Sequence, residues 1–166
     1  MVEVGAVNEL EVLRLSKTGA YLDGCERGEI LLPAFDASED LCLGSSISVF
    51  LYFDSKGTLM ATTRQPMTSV RKCEYLPVVD VNSKGAFLDW GLAKDLLVPY
   101  GEQHVKMVVG QSYVVYTYHE SSSDRIVASS KLHRHLKEIN DCYRQGEEVK
   151  LQVAVITDLG YKVVAD

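Results

Sequence analysis

Two aromatic side chains occupy matching places in the chain and are the first candidates for binding chemistry. Tyr21 lies in the segment "GAYLD" and Phe87 lies in the nearly identical segment "GAFLD". Neighbouring side chains of a strand point to opposite faces, so both rings point outward if the flanking alanines and leucines point inward. An outward ring can stack on an unpaired nucleic-acid base or pack against a loop or a neighbouring domain, and the sequence leaves both interpretations open.

Basic side chains provide the second candidate chemistry, because a cation beside an exposed ring can neutralise a phosphate. Arg64 follows the first aromatic segment, and Lys131 follows the second and opens a locally basic run with Arg134 and Lys137. The single tryptophan, Trp90, either extends an aromatic surface or fills a seam between domains, and the seam is the interpretation that we favour.

No set of residues with catalytic spacing is present in the sequence. The motifs GxxxxGK[ST], GxSxG and HExxH are missing, and none of the four cysteines forms a CxxC pair. His133 and His135 are two residues apart on a predicted helix, so they do not share a face and make a poor metal pair. We therefore expect no catalytic residue, no metal site, no cofactor and no small-molecule substrate.

The two aromatic segments belong to a repeat that covers most of the chain. Residues 19–23 match residues 85–89 at an offset of 66 residues, and "ILLP" matches "LLVP" at the same offset. A constant offset over such a span indicates two copies of one small domain. We predict domain boundaries at residues 1–66 and 67–133.

Each copy has the pattern of five short strands separated by turn residues. Residues with β preference fill these segments, and the longest break, Ala34 to Gly44 or Tyr100 to Gly110, lies between the third and fourth strands. This plan is typical of the OB fold, a small partly open barrel, and an open sandwich is the main alternative. We predict an all-β protein with two tandem five-stranded OB-fold barrels.

The remaining residues, 134–166, break the repeat. Four apolar residues around the start of this part have helical spacing: Leu132, Leu136, Ile139 and Tyr143. We predict a linker helix followed by the start of a truncated third barrel. Residues 149–166 should form a hairpin that is either poorly ordered or paired with another molecule, because unpaired strand edges attract other strands.

The net charge of −6 disfavours a general nucleic-acid binder, and this charge is unevenly distributed. Residues 1–66 have a net charge of −5, whereas residues 67–133 have a net charge of zero. Any anion site is therefore expected from the second copy onward. No stretch approaches the roughly 18 apolar residues of a membrane span, and the first residues lack a secretory pattern, so we expect a cytoplasmic protein without membrane contact.

The segments "GAFLDWGLAKDLLVP" and "GAYLD…ILLP" resemble the RNA-binding motif first described in ribosomal protein S-one. More narrowly, residues 78–103 resemble the conserved virulence factor B family of bacterial regulators. This resemblance implies S-one-type barrels, single-stranded RNA as the partner, and post-transcriptional regulation in the cytoplasm without catalysis. It also implies C-terminal domains, including a winged helix, that are missing from this chain.

The resemblance assigns binding roles to particular positions. The aromatic residue two after the glycine of the second strand is kept in both copies, and so is a basic residue at the end of the fifth strand. The aromatic residue before that glycine and a histidine that ends the third strand are both replaced. The predicted RNA-binding residues are Phe87, Trp90, Lys131, Arg134, Lys137, Tyr21 and Arg64.

We expect the residues of the second barrel to contribute most of the RNA binding, with Phe87 stacking on a base and Lys131 contacting phosphate. The alternative is a protein-interaction or spacer module whose RNA-binding part lies in the missing domains. A more distant alternative is an accessory domain of a nuclease or a translation factor.

Overall fold

The computed structural model describes residues 1–38, 40–136, 144, 146–158 and 160–165, except for the side chain of Thr157. The first part of the chain is a closed barrel in the strand order β1-β2-β3-β5-β4. Strand β4 pairs back to β1, and β3 and β5 are parallel while the other pairs are antiparallel. The strands are β1 (Val7–Ser16), β2 (Gly19–Asp23), β3 (Glu29–Pro33), β4 (Ser46–Phe53) and β5 (Leu59–Thr62).

The second part is another closed barrel with the equivalent connectivity. Its third and fifth strands are again the parallel pair, and a 3-10 turn at Tyr100–Glu102 follows its third strand. The prediction of tandem five-stranded barrels is therefore confirmed, and the open sandwich is excluded. The strands are β6 (Cys73–Asn82), β7 (Gly85–Leu88), β8 (Leu96–Pro99), β9 (Ser112–Glu120) and β10 (Arg125–Ser129).

A glycine opens the second strand of each barrel for a steric reason. Gly19 has a φ of 142° and Gly85 has a φ of 153°, a region that other residues rarely adopt. A Cβ at either position would overlap a main-chain carbonyl of the neighbouring third strand, that of Leu32 or that of Val98. The repeated glycines thus let the second and third strands approach each other, which fixes the position of the aromatic residue two places later.

The two barrels share a hydrophobic seam. Phe50 points out of the first barrel and is buried in the same cluster as the core of the second. Its ring meets that of Trp90 edge to face, with centroids 5.8 Å apart. The Nζ of Lys94 also crosses the seam and donates to the carbonyl oxygens of Phe53 at 3.1 Å and Asp54 at 2.7 Å. These contacts fix the barrels relative to each other.

The described residues after the second barrel form a short 3-10 turn and, farther along the chain, a two-stranded sheet. A 3-10 turn occupies Leu132–Arg134, where the sequence predicted the start of an α-helix; Ile139 and Tyr143 lie outside the described residues. Strands β11 (Leu151–Thr157) and β12 (Gly160–Ala165) form a separate two-stranded sheet. The assignment of this hairpin to a third barrel stays a prediction. No helix within the described ranges is long and apolar enough to cross a membrane.

Candidate nucleic-acid interface

A row of side chains crosses the outer face of the first barrel. Arg14 on β1 is paired with Tyr21 on β2, which is paired in turn with Leu31 on β3. The row continues through Met60 on β5 to Tyr52 on β4. All five side chains are at least partly exposed, whereas the neighbours of Tyr21 along its strand are buried. The alternation predicted from the sequence therefore places Tyr21 on the surface.

Arg14 lies flat on the ring of Tyr21. Its Cζ is 3.4 Å from the ring centroid, which is the geometry of a cation–π contact. Its Nε and Nη2 both donate to Oε2 of Glu29, at 3.0 and 2.8 Å. Hydrogen bonding to this carboxylate raises the pKa of Arg14, so the group stays charged. About half of the arginine side chain remains exposed, so the pair presents a charged plane to solvent.

A second arginine and a second exposed ring lie beside the end of β5. The Nε of Arg64 donates to Oδ1 of Asp36 at 3.0 Å, and the hydroxyl of Thr62 donates to the other oxygen at 2.6 Å. The Asp36 side chain is only 5% exposed, so it anchors Arg64 from below. The Cζ of Arg64 is 5.7 Å from the centroid of Phe35, whose side chain is highly exposed.

The equivalent row on the second barrel carries the opposite charge. Phe87 on β7 is partly exposed, as the alternation predicted, and it is paired with Asp80 on β6 and Leu97 on β8. Asp89 directly follows β7 and Asp95 directly precedes β8, so both lie at the end of this row of strands. Burial raises the pKa of Asp95, and the negative charges of Asp89 and Asp80 raise it further. The ring of Phe87 therefore lies in an electronegative environment.

The basic side chains that follow β10 are held by the turn at Tyr100–Glu102. The Nζ of Lys131 donates to the carbonyl oxygen of Gly101 at 2.7 Å, and Nη1 of Arg134 donates to Oε1 of Glu102 at 3.2 Å. Lys137 lies outside the described residues. Both described cations are thus tied to the end of the third strand of their own barrel.

The outer face of β9 is covered by the segment that follows the second barrel. The ring of His135 stacks on Tyr116 with centroids 5.0 Å apart and on Tyr118 with centroids 4.6 Å apart. Tyr118 corresponds in the repeat to Tyr52 of the first barrel, which packs against the hydrophobic cluster at the seam. The two equivalent tyrosines are thus covered by different parts of the chain, Tyr118 by His135 and Tyr52 by the seam.

A family model described as an S1 domain matches residues 4–64 and 72–131, which together make up more than half of the chain. The chain belongs to the S1 domain family. The two matched segments coincide with the two barrels, so each barrel is one S1 domain. Among the described residues, no group of three histidine, cysteine, aspartate or glutamate side chains could hold a metal ion.

Curated relatives confirm the narrower resemblance read from the sequence. The chain is 31% identical to Conserved virulence factor B of Staphylococcus epidermidis and 29% identical to that of Staphylococcus saprophyticus, each over 99 residues. Each match covers 58% of this chain and 33% of the relative, so it spans a third of the relatives' length.

A solved structure shares the fold of the whole chain. It is a multidomain protein with nucleic acid binding domains from Streptococcus pneumoniae, with a TM-score of 0.66 and 16% sequence identity. The match covers 98% of this chain and 59% of that protein. At this level of identity the likeness supports the tandem S1 architecture.

Trp90 occupies the seam between the two S1 domains, which is the interpretation that the sequence favours over an aromatic surface. Its side chain is 3% exposed, and its Nε1 donates to the carbonyl oxygen of Lys94 at 2.6 Å. At this depth the ring has no exposed face to offer to a base, and its role is to pack against Phe50.

Sequence reasoning missed three members of the first S1 domain's face: Arg14, Phe35 and Asp36. Arg14 could have been found from the tight hairpin between β1 and β2, because pairing Ser16 with Gly19 brings Arg14 beside Tyr21. Phe35 and Asp36 lie in the irregular segment after β3, where the sequence carries no periodic signal.

Proposed function

We propose that this chain is a non-enzymatic module that binds single-stranded RNA on the outer face of its first S1 domain, within a cytoplasmic bacterial post-transcriptional regulator. The observation that carries the proposal is the stack of Arg14 on Tyr21, an exposed guanidinium plane backed by an aromatic ring. Unpaired bases stack on aromatic rings and on guanidinium planes, and the same arginine supplies a cation for the phosphates.

Membership of the S1 domain family and the likeness to a protein with nucleic acid binding domains support a nucleic acid as the partner. The open stacking surface favours a single strand, because the bases of a duplex are already stacked on one another. Arg64 and the exposed ring of Phe35 extend the surface toward the end of β5 and offer a second place for a base and a phosphate.

The local charges support a site on the first S1 domain rather than on the second, where the sequence predicted it. Phe87 is paired with Asp80, and Asp89 and Asp95 lie at the adjacent strand ends, so a phosphate brought near these carboxylates would be repelled. The ring of Tyr21 has a bound arginine in the same place. Because the first domain carries a net charge of −5, we expect modest affinity, with a shallow salt dependence set by the few cations that contact phosphate.

The proposal is tested by titrating a fluorescent oligouridylate with wild type and single variants at two salt concentrations. Tyr21→Ala should weaken binding about tenfold, because stacking is worth roughly 1–3 kcal/mol per base. Arg14→Gln should also lower the slope of log affinity against log salt by about 0.7, the value for one phosphate contact on a single strand. Phe87→Ala is the matched control and should bind like wild type.

Circular dichroism of each variant establishes that it is folded. If Phe87→Ala loses affinity while Tyr21→Ala does not, the second S1 domain is the RNA site and our assignment is wrong. If wild type fails to bind the oligonucleotide at low salt, the module has no RNA-binding surface of its own.

A further inference from the structure

The internal repeat shows what an arginine-binding surface looks like in this protein. In the first S1 domain, an outward aromatic ring on the second strand and a carboxylate on the third strand together hold the guanidinium of Arg14. These two residues are Tyr21 and Glu29. At the offset of 66 residues, their counterparts in the second domain are Phe87 and Asp95.

The second domain keeps the ring and the carboxylate but lacks the arginine. Asp80 holds the position that corresponds to Arg14. The strand registers agree with this correspondence, since Arg14 is paired with Tyr21 and Asp80 is paired with Phe87. Both registers also shift at the same point, one residue before these positions. The ring and the residue opposite it on the first strand therefore hold equivalent positions in the two domains.

A further carboxylate completes the parallel. Asp23 and Asp89 hold equivalent places after the ring, and each accepts a main-chain N–H two residues later, at 2.8 and 2.9 Å. In the part of the chain that the structure describes, no basic side chain forms an ion pair with Asp80, Asp89 or Asp95. Burial raises the pKa of Asp95, and the negative charges of Asp89 and Asp80 raise it further.

We propose that this face of the second S1 domain is a receptor for an arginine side chain of a partner protein, with the guanidinium stacked on Phe87 and paired with Asp95. Asp80, at the place from which Arg14 enters in the first domain, adds a second carboxylate to the incoming cation. The receptor selects arginine over lysine, because a planar guanidinium can stack on the ring and bridge a carboxylate with two hydrogen bonds, whereas an ammonium group cannot.

This inference goes beyond the RNA proposal and does not depend on it, because the two ligands use different S1 domains. A protein is the favoured source of the cation, since the three carboxylates repel the phosphates of a nucleic acid. One exposed cation–π contact and one ion pair bind weakly, so a partner must add contacts around the arginine, and a short peptide should bind only at high concentration.

The first experiment follows amide chemical shifts of the full chain by NMR during titration with blocked glycyl-arginyl-glycine. We expect shifts at residues 85–89 and 95–97 that are clearly smaller with blocked glycyl-lysyl-glycine. Asp95→Asn should abolish the response to arginine while leaving oligouridylate binding unchanged. Asp23→Asn, at the equivalent place near the filled site of the first domain, is the matched control and should respond like wild type.

The second experiment supplies the missing side chain within the chain itself. Asp80→Arg should raise the midpoint temperature of unfolding above that of Asp80→Ala, which removes the negative charge without adding a guanidinium. The gain should disappear when Asp95→Asn is combined with Asp80→Arg. Because the receptor is then filled, Asp80→Arg should also lose the response to the arginine peptide.

Three results would overturn the proposal: no shift at these amides, equal responses to the two peptides, or an arginine response that persists in Asp95→Asn. Sedimentation provides a further check. A dimer that dissociates in Asp80→Arg would show that a second copy of this chain, rather than another protein, fills the receptor. Oligouridylate-induced shifts at these amides would assign the face to RNA instead.

Discussion

Removing either ring of the seam should destabilise both S1 domains together. Phe50 is contributed by the first domain and Trp90 by the second, and both are almost fully buried. Their centroids are 5.8 Å apart at an interplanar angle of 80°, an edge-to-face contact. The test is a double-mutant cycle made of Phe50→Leu, Trp90→Leu and the double variant.

The magnitude follows from what each substitution removes. An edge-to-face pair contributes about 0.5–1.5 kcal/mol beyond its area burial, so this is the coupling energy expected from the cycle. Trp90→Leu also removes the hydrogen bond from Nε1 to the carbonyl oxygen of Lys94, which adds about 0.5–1.5 kcal/mol. With the cavity left by the smaller side chain, we expect Trp90→Leu to lower the free energy of unfolding by roughly 2–4 kcal/mol.

The measurement is urea unfolding followed by circular dichroism, since Trp90 is the single tryptophan and fluorescence is lost in its variants. Wild type should unfold in one transition, because Phe50 belongs to the same buried cluster as the core of the second domain. Leu32→Val, in the separate core of the first domain, is the control partner. Its effect should add to that of Trp90→Leu within about 0.5 kcal/mol.

A coupling energy indistinguishable from zero between Phe50 and Trp90 would refute the seam as the element that joins the domains. Two separate transitions in wild type, of which Trp90→Leu shifts only one, would refute it as well. In either case the S1 domains would be independent units joined only by their linker.

Two further predictions concern the backbone and the charges. Gly85→Ala should destabilise the protein by roughly 1–3 kcal/mol in urea unfolding, because its Cβ would overlap the carbonyl of Val98, whereas Gly101→Ala, with open space around it, should be close to neutral. Burial opposes ionisation of Glu102, but the hydroxyl of Ser129 and nearby cations outweigh it and hold the pKa of Glu102 below its ordinary value. The ionised carboxylate therefore stabilises the fold fully at pH values above the pKa of Glu102 in the unfolded chain. This stabilisation is lost as pH falls through the lower pKa of Glu102 in the folded protein. Glu102→Gln should therefore cost about 1–2 kcal/mol at pH 7, and a pH series of unfolding curves should show the difference shrinking below about pH 4; a difference that is constant with pH would contradict this account.

The fold was predictable because steric requirements repeat with the domain. Gly19 and Gly85 recur at one offset, since each lets a third strand approach its second strand. The alternation of buried and exposed positions on either side of Tyr21 and Phe87 follows directly from the two-residue period of a strand. The 3-10 turn at Leu132–Arg134 was not predictable in this way, because contacts with distant strands decide its conformation.

The partners of the binding residues were harder to predict than the residues themselves. Arg64 was identified as a cation near the end of the fifth strand, but the aspartate that anchors it, Asp36, comes from an irregular segment 28 residues earlier. Arg14 was overlooked because the register of β1 shifts between Val12 and Arg14. Alternation counted from the buried Val12 would place Arg14 inside the barrel, whereas the pairing counted from the hairpin places it outside. Side chains that meet through a bulge or a loop leave no periodic trace in the sequence.

Net charge and local charge favour different domains as the RNA site, for a physical reason. The first domain has a net charge of −5 and the second a net charge of zero, yet the ring of Tyr21 lies against Arg14 whereas that of Phe87 lies among carboxylates. At physiological ionic strength charges are screened over about 8 Å, while a bound group lies within 3–4 Å of its ring. In our two proposals, the residue opposite the aromatic side chain on the first strand therefore sets the ligand of each domain. Inward positions are constrained by the shared barrel, whereas this outward position can change sign. We therefore infer that the exchange of arginine for aspartate at this position would direct the two domains to an anionic and a cationic partner.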